Sequence, residues 1–524
     1  MTVRERQPTG WSSAPLQRLR RAFPLGSRDR YWLALATLPG FVAVTAYLVT
    51  NPYPAYGAGL YAQIAGEILG NGYVPPTEIP GYTTDGVPFA YPPLQFYLFA
   101  VLLDIGVTPV TVARFLPPVA VVAVQVPLYL LGRDLLDSRP AGAVATATIA
   151  LNPQVLEWHV SAGGVVRAFA FLYAVTAIYA GYHVFASRSR VAVVGGLFAF
   201  GLTLLSHPTY STFVVASYVL FWLVLDRSPR GLARGAAVGL GGAVLAAPWL
   251  GWVVTTHGPG ILTAAAGTHG GIGGGVDALY GHLSPYMLVP LAAAGYLLVA
   301  RRWLVLPVWL VAVELLFQQP RFSYTVSGFV VTAAAVDLGG RLGGVPEFGV
   351  SRVDPSVVAA TLLVLVGTVA GGAYLGHEMT LTHDPSTPEF LDAEAVDAME
   401  WAATDTRDDA TFVVLGDAAE WFPALTERTI LVGPWGVEWQ GSGPYYDQLD
   451  AFVNASECRT ADCVISEATA VGQTPDYVYV PRGLYTVRGH HRTEFGVLER
   501  SFAHSPRWER AYENDGVVIY RSVP

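Results

Sequence analysis

The chain has 524 residues, of which 52% are hydrophobic and only 14% are charged. Soluble globular proteins carry about 25% charged residues, so this composition excludes an ordinary soluble enzyme and favours a membrane protein with several spans. All 31 basic residues are arginine, which excludes lysine chemistry such as Schiff-base formation, and the net charge of −9 argues against a nucleic-acid partner.

The charge divides the chain at His377. Residues 1–376 hold 15 acids and 21 arginines, a net of +6, and residues 377–524 hold 25 acids and 10 arginines, a net of −15. We therefore predict a cytoplasmic Arg-rich N-terminus over 1–30, a transmembrane domain over 31–376 and an acidic extracytoplasmic α/β domain after it. A lysine-free acidic surface is typical of proteins that work at high salt, because dense carboxylates keep the folded chain hydrated. A halophilic, haloarchaeal source is expected on this ground.

Twelve apolar runs follow one another through the transmembrane domain. They lie at 31–49, 92–106, 112–131, 140–152, 165–186, 191–206, 209–225, 234–254, 285–300, 303–317, 323–338 and 355–375. If every run crossed the membrane, the Arg-rich connections would face outward, against the positive-inside bias. If the run 92–106 dips in without crossing, those connections face the cytoplasm. We therefore predict a mainly α, polytopic bundle of about eleven spans in the cell membrane. Its N-terminus is inside, its C-terminal domain is outside, and its long first outer loop covers 50–111.

Three arginines of the transmembrane domain lie on the outer side in this topology: Arg114, Arg167 and Arg321. The positive-inside bias disfavours them there, and arginine is the side chain that binds phosphate with two parallel hydrogen bonds. Other polar and aromatic residues collect at the same face, although each one alone could be an ordinary interfacial residue. We interpret this face as a functional site with the following substrate-binding residues: Tyr61, Tyr91, His159, Arg167, His207, His269 and Arg321.

The acidic C-terminal region predicts mixed secondary structure. Residues 390–403 have helical spacing of apolar residues, and three short stretches rich in β-branched and aromatic residues predict strands at 411–415, 476–480 and 516–520. The segment Glu420-Trp-Phe-Pro follows the first strand, at the sheet edge where α/β proteins bind ligands. A helix start with core aromatics is the slightly better explanation of this segment.

The chain has two cysteines, Cys458 and Cys463, and they are five positions apart in the acidic region. An extracytoplasmic location permits a disulfide between them. Two buried free thiols are the alternative, and the sequence leaves both open.

One stretch of the first outer loop carries a family resemblance. Residues 79–94 read Ile-Pro-Gly-Tyr-Thr-Thr-Asp-Gly-Val-Pro-Phe-Ala-Tyr-Pro-Pro-Leu, and they follow one span and a short amphipathic helix over Tyr61–Leu69. With the turn Gly163-Gly-Val-Val-Arg167, this arrangement resembles the GT-C class of integral-membrane glycosyltransferases. That class includes protein O-mannosyltransferases, lipid A aminoarabinose transferases and oligosaccharyltransferase catalytic subunits. The resemblance implies a membrane-embedded, polyprenyl-phosphate-linked sugar donor and an extracytoplasmic acceptor, a glycoprotein or a glycolipid.

The resemblance also implies a catalytic acid early in the first outer loop, four residues before a tyrosine. Here the tyrosine is Tyr61 and the matching position is Gly57, so the acid is missing. Asp85 and Glu157 lie in the two outer loops that hold acids in this class, and we expect them to be catalytic instead. Such a carboxylate would deprotonate the acceptor or hold a divalent cation against the donor phosphate. No spacing of residues identifies a metal.

Two other functions stay open at this point. The glycine at position 57 favours a non-catalytic sugar-lipid binding protein of the same fold. A transporter is less favoured, because transporters show internal repeats and polar groups near the midplane, whereas the polar residues here cluster at one face. A carboxylate that faces the same cavity as the outer arginines would favour an enzyme.

Overall fold

The computed structural model describes residues 26–265, 268, 285–317, 319–342, 355–380, 387–489 and 491–523. The first part is a helical bundle. Its helices in chain order are α1 (Ser27–Thr50), α2 (Gly59–Gly70), α3 (Leu94–Asp104), α4 (Pro109–Leu135), α5 (Arg139–Ala150), α6 (Pro153–Val160), α7 (Gly164–Ala186), α8 (Arg190–Leu204), α9 (Pro208–Leu225), α10 (Pro229–His257), α11 (Ile261–Ala264), α12 (Pro285–Ala300), α13 (Val305–Leu316), α14 (Pro320–Leu342) and α15 (Pro355–Glu378). A short antiparallel hairpin lies in the first outer loop, and each of its strands has two residues: β1 (Glu78–Ile79) and β2 (Val87–Pro88).

Many of these helices begin with proline, whose fixed φ suits the first helical position and whose missing N–H costs nothing there. A polar residue before the proline caps several of them. Thr108 accepts a hydrogen bond from the Thr111 N–H at 3.4 Å, and Ser228 accepts one from the Gly231 N–H at 3.0 Å. The Pro-rich connections of the sequence are therefore helix starts.

Seven of the described helices are long and apolar enough to cross a membrane: α1, α4, α7, α9, α10, α14 and α15. Four further predicted spans form helices of 12 to 16 residues: α5, α8, α12 and α13. The total of about eleven spans stays a prediction.

Buried aspartates and arginines pair at one end of the bundle. Each of three aspartates pairs with two arginines from connections predicted to be cytoplasmic: Asp29 with Arg133 and Arg139, Asp226 with Arg188 and Arg234, and Asp337 with Arg302 and Arg341. Each aspartate is at most 9% exposed. A buried carboxylate is stable only with such partners, so these pairs gather the predicted inner arginines into neutralised groups.

The last part of the chain is an α/β domain, which confirms the predicted fold class. Its strands are β3 (Thr411–Val414), β4 (Thr429–Ile430), β5 (Tyr477–Pro481), β6 (Leu484–Val487), β7 (His491–Glu494), β8 (Trp508–Glu513) and β9 (Val517–Ser522). Five of them form a sheet in the order β4-β3-β5-β9-β8. Strand β3 is parallel to β4 and β5, and β9 is antiparallel to β5 and β8. The three predicted strands occur as β3, β5 and β9.

Helices cover this sheet. They are α16 (Ala393–Asp405), α17 (Phe422–Thr426), α18 (Ser442–Glu457), α19 (Ala461–Val471) and α20 (Gly496–Ala503), with 3₁₀ turns at Asp417–Glu420 and Val437–Gln440. Cys458 and Cys463 form a disulfide between α18 and α19, with their Cα atoms 5.7 Å apart. The predicted helix 390–403 occurs as α16.

The first outer loop and the C-terminal domain are packed into one unit. The Ile430 N–H donates to the Gly81 carbonyl at 2.9 Å, and the Tyr56 N–H donates to the Pro388 carbonyl at 3.0 Å. Buried side chains from both regions belong to one hydrophobic core. Because loop and domain share a core, their polar residues can contribute to a single site.

Helix α3 packs with the first outer loop and the C-terminal domain. It has 11 residues and is therefore about 16 Å long, roughly half the ~30 Å hydrocarbon core of a bilayer. Phe96 and Phe99 of α3 are fully buried in the core that holds Phe412 and Val478 of the sheet. This packing supports the prediction that residues 92–106 do not cross.

Candidate functional site

Arg167 enters the site from the first turn of α7, just after two glycines. A Cβ at Gly163 would lie 2.4 Å from Arg167 Nη1, and a Cβ at Gly164 would lie 2.1 Å from the His159 carbonyl oxygen. Both glycines are therefore required for the close packing here. The guanidinium lies over the Trp158 ring, 5.2 Å from its centroid.

Arg321 enters from the first turn of α14 and is only 7% exposed. Its guanidinium carbon lies 5.3 Å from the Tyr210 ring centroid and 5.4 Å from that of Phe322. The buried Nε has no hydrogen-bond partner among the described residues. Arg321 and Arg167 also form no salt bridge within the described part of the chain. An arginine in such surroundings needs an anionic partner, which a ligand could supply.

The third outer arginine has a structural role. Arg114 donates from Nη2 to the Leu48 carbonyl at 2.8 Å and from Nε to the Asn51 carbonyl at 3.1 Å. These are carbonyls at the C-terminal end of α1, which lack partners inside the helix. Arg114 therefore caps α1.

Glu157 lies on α6 beside the two site arginines. Its carboxylate accepts a hydrogen bond from the Tyr56 hydroxyl at 2.6 Å, and it is close enough to interact electrostatically with Arg321. The Tyr56 ring stacks on Trp158, with centroids 4.7 Å apart. The structure thus brings Glu157 to the arginines, with one oxygen engaged by a tyrosine of the first outer loop.

His159 is a buried residue that contacts the site through Tyr210. It is 2% exposed, its Nδ1 bonds the Val155 carbonyl, and its Nε2 bonds the Tyr210 hydroxyl at 2.6 Å. A carbonyl can only accept, so Nδ1 carries the proton and Nε2 accepts from Tyr210. Both ring nitrogens are engaged, so His159 orients Tyr210, and direct substrate binding by His159 stays a prediction. His207 caps α9 and packs against the same ring, 5.3 Å between centroids.

Tyr61 and Tyr91 reach the site from the first outer loop. Their ring centroids are 6.3 Å apart, and both interact electrostatically with Arg167. The Tyr91 hydroxyl donates a hydrogen bond to the Glu438 carboxylate of the C-terminal domain. Burial raises the pKa of the Glu438 carboxyl, while the Tyr91 hydrogen bond opposes the rise. The domain therefore contributes an acid to the site.

A second acid from the domain, Glu420, lies at the end of the 3₁₀ turn after β3. The Tyr82 hydroxyl donates to its backbone carbonyl at 2.5 Å, and the next residue, Trp421, is fully buried and donates from Nε1 to the Tyr56 carbonyl at 3.4 Å. The Glu420 carboxylate points at Gly57. A Cβ built on Gly57 would lie 1.7 Å from Glu420 Oε2.

The charges around Glu420 come from both parts of the molecule. Burial raises the pKa of its carboxyl to about 8; Asp417 and Glu438 add to the rise, and Arg488 and Arg167 oppose it. Sequence reasoning expected core aromatics in this segment, and Trp421 and Phe422 are indeed buried, but it missed the role of Glu420. The signal that could have found it is the glycine at position 57, because an absent side chain leaves room for another.

One described residue of the predicted site, Asp85, is not brought into this cluster. Asp85 lies in the exposed turn between β1 and β2. It lines a surface cleft of about 810 Å³ with Asp447 and Asp450 of α18. This placement does not favour Asp85 as a catalytic acid, and its assignment stays a prediction. Asp85 is near the site residues in sequence, but the hairpin places it on the exposed turn between β1 and β2. His269 lies outside the described residues.

No three His, Cys, Asp or Glu side chains converge on a point that could hold a metal ion in the part of the chain that the structure describes. The protein groups gathered here are two arginines that form no salt bridge with a described residue, the carboxylates of Glu157, Glu420 and Glu438, and several tyrosines. Such a set can hold an anion beside a proton acceptor.

Comparison with known proteins identifies the fold. No family model matches the chain, and no curated protein matches it. Among solved structures, the arabinofuranosyltransferase AftD from Mycobacteria aligns with 94% of this chain at 16% identity and a TM-score of 0.57, and the chain spans 40% of that protein's length. The apo structure of ArnT from Cupriavidus metallidurans aligns with 98% of this chain and 99% of its own, at 15% identity and a TM-score of 0.53. A second ArnT structure, bound to undecaprenyl phosphate, aligns with a TM-score of 0.51. The chain thus has the fold of these membrane glycosyltransferases, as the resemblance predicted.

Proposed function

We propose that this protein is a membrane glycosyltransferase that moves a sugar from a polyprenyl-phosphate donor to an acceptor on the outer side of the membrane. The observation that carries the proposal is the pair Arg167 and Arg321. Both pack against aromatic rings and form no salt bridge with a described residue. The nearest acids act at longer range, Glu157 on Arg321 and Glu420 on Arg167. A donor phosphate would supply the missing negative charge.

The fold supports the same donor chemistry. The solved ArnT structure with undecaprenyl phosphate shows that a protein of this fold can bind a polyprenyl phosphate. In this chain the lipid tail would lie between helices of the bundle and the phosphate would bind the two arginines bidentately. The site would then face outward, with the N-terminus in the cytoplasm.

The reaction follows from these positions. A carboxylate of the site takes the proton of the acceptor hydroxyl or amide, and the acceptor atom forms a bond to the anomeric carbon of the sugar. The bond from that carbon to the donor phosphate breaks, with inversion, and its electron pair leaves with the polyprenyl phosphate. Arg167 and Arg321 stabilise the negative charge that develops on this leaving group.

Donor binding is the first test. Purified protein in lipid nanodiscs is titrated with a polyprenyl phosphate, alongside Arg167→Gln, Arg321→Gln and the control Arg301→Gln, an exposed arginine between α12 and α13. Charge-assisted hydrogen bonds are worth about 1.5–3 kcal/mol each, so each site variant should bind about 10- to 100-fold more weakly and the control should bind normally. Wild-type affinity in both site variants would refute the phosphate site.

Transfer is the second test. Glycans of surface glycoproteins and the pool of polyprenyl-phosphate sugars are compared in cells with and without the gene. A lost glycan with an accumulated donor supports the enzyme. If the wild-type protein binds the donor and no glycan or donor pool changes, the chain is a binding protein.

A further inference from the structure

We propose that Glu420 of the C-terminal domain is the catalytic carboxylate, lying in the space where a side chain at position 57 would otherwise lie. This inference rests on the proposed glycosyl transfer and names the residue that accepts the proton. It replaces an acid of the first outer loop by one that is far away in sequence. It also assigns the α/β domain a direct part in the reaction.

The geometry at two glycines carries the argument. A Cβ on Gly57 would lie 1.7 Å from Glu420 Oε2 and 1.8 Å from its Cδ, so the carboxylate occupies the volume of that missing side chain. A Cβ on Gly59 would lie 1.9 Å from the Glu420 carbonyl oxygen and 2.5 Å from the Trp421 Cα. No L-side chain fits at either position without movement. The first outer loop therefore has no side chain at Gly57 and Gly59, the two positions where the turn that carries Glu420 packs against it.

The turn that carries Glu420 is held from several sides. Asp417, at its start, accepts hydrogen bonds from the backbone N–H groups of Arg488 and Gly489, each at 2.8 Å. These two residues form the tight turn between β6 and β7, with φ values of 58° and 71°. With the Tyr82 hydrogen bond at its other end, the turn is fixed to the sheet and to the first outer loop. A catalytic group needs such support, because small displacements reduce rates strongly.

The other acids of the site are already engaged. Glu157 accepts from the Tyr56 hydroxyl and Glu438 accepts from the Tyr91 hydroxyl. Glu420 is buried, with only 9% of its surface exposed. Even so, its carboxylate forms no hydrogen bond or salt bridge with any residue that the structure describes. A buried carboxylate without a partner is costly unless a ligand completes it. An acceptor hydroxyl would do so.

The surrounding charges suit a general base. Asp417 and Glu438 disfavour ionisation of Glu420, whereas Arg488 and Arg167 favour it, and burial has the largest effect, so its pKa is about 8. A base whose pKa is near the working pH combines adequate ionisation with a strong drive to take a proton. Proton transfer leaves Glu420 neutral while the phosphate leaves as an anion beside Arg167, which keeps the total charge of the site constant.

The test moves the carboxylate from one position to the other. Glu420→Gln and Glu420→Ala should lower the rate of sugar transfer about 100- to 10,000-fold, with the affinity for polyprenyl phosphate within twofold of wild type. The double variant Gly57→Asp with Glu420→Ala restores an acid from the loop side, in the volume that the alanine vacates. It should regain at least tenfold over Glu420→Ala. Glu400→Gln, an exposed acid of α16, is the matched control and should transfer at the wild-type rate.

A pH profile separates a base from a group that only positions others. The wild-type rate should rise with pH up to about pH 8, because the carboxylate must be ionised, and the residual rate of Glu420→Gln should lack this rise. Circular dichroism and gel filtration check that each variant is folded. Unchanged transfer in Glu420→Gln, or a double variant no better than Glu420→Ala, would overturn the assignment. If the wild-type protein binds donor but transfers no sugar under any condition, the proposed function itself fails and the assignment fails with it.

Discussion

Replacing Glu420 by glutamine should stabilise the protein, and the gain should grow with pH. The pKa of this carboxyl is 4.5 in an unfolded chain and about 8 in the folded protein. Between these values the folded state binds a proton that the unfolded state has lost, so stability falls as pH rises through this window. Glutamine never ionises and avoids the loss. At about 1.4 kcal/mol for each pKa unit, the gain is about 1 kcal/mol at pH 5 and about 5 kcal/mol at pH 8.5.

Thermal unfolding of the purified protein in detergent, followed by tryptophan fluorescence at both pH values, measures this gain. A domain of this size shifts its Tm by about 2–4 °C per kcal/mol, so the variant should exceed wild type by about 10–20 °C at pH 8.5 and by about 2–4 °C at pH 5. Glu400→Gln, an exposed residue of α16, is the control and should show no pH-dependent difference. An equal gap at both pH values for Glu420→Gln would mean that its carboxyl titrates normally, and the electrostatic account of the site would be wrong.

Three further predictions concern the packing and the topology. Gly163→Ala should displace the Arg167 guanidinium and weaken polyprenyl-phosphate binding about tenfold or more, whereas Gly66→Ala, with open space around it, should bind normally; equal affinities would mean that Arg167 does not touch the donor. Tyr82→Phe should lower stability by about 1–2 kcal/mol and lower the transfer rate without changing donor affinity; an unchanged rate would separate this hydrogen bond from the chemistry. A cysteine at Val107 should react with an impermeant reagent in intact cells, and external protease should release the C-terminal domain; labelling from the cytoplasm alone would restore a span at 92–106.

The fold was largely predictable because its signals are local. Long apolar runs identify helices by composition, and the structure adds that many of these helices begin at a proline. The arginine distribution added information that span length alone lacked, since α3, α5 and α13 are all short helices. The C-terminal strands were readable from β-branched and aromatic runs. Span counting stays incomplete because short apolar helices satisfy the same pattern as long ones.

The site was predictable only in part. Arg167 and Arg321 stood out because their positions conflict with the orientation bias, and the structure shows both without acidic partners in its described part. The place of Asp85 in the first outer loop predicts a catalytic acid, yet in the structure Asp85 lies in an exposed hairpin turn. The position of Glu420 after a strand allows a ligand-binding role, but nothing beside it in sequence points to the space at Gly57. A fit between two residues that are far apart in sequence, such as Gly57 and Glu420, leaves no periodic pattern in the sequence.

The docking of Glu420 against the first outer loop also has a consequence for biosynthesis. Tyr82 and Glu420 are 338 positions apart, and at about 5–20 residues per second the ribosome needs roughly 20–70 s to cover that distance. During this interval the first outer loop has been made but the turn that carries Glu420 has not. Gly57 and Gly59, where that turn will pack, are still uncovered. A nascent chain that stalls before the α/β domain would therefore be inserted and yet chemically inert. If Glu420 is the proposed base, sugar transfer begins only after the last part of the chain has been made and has docked.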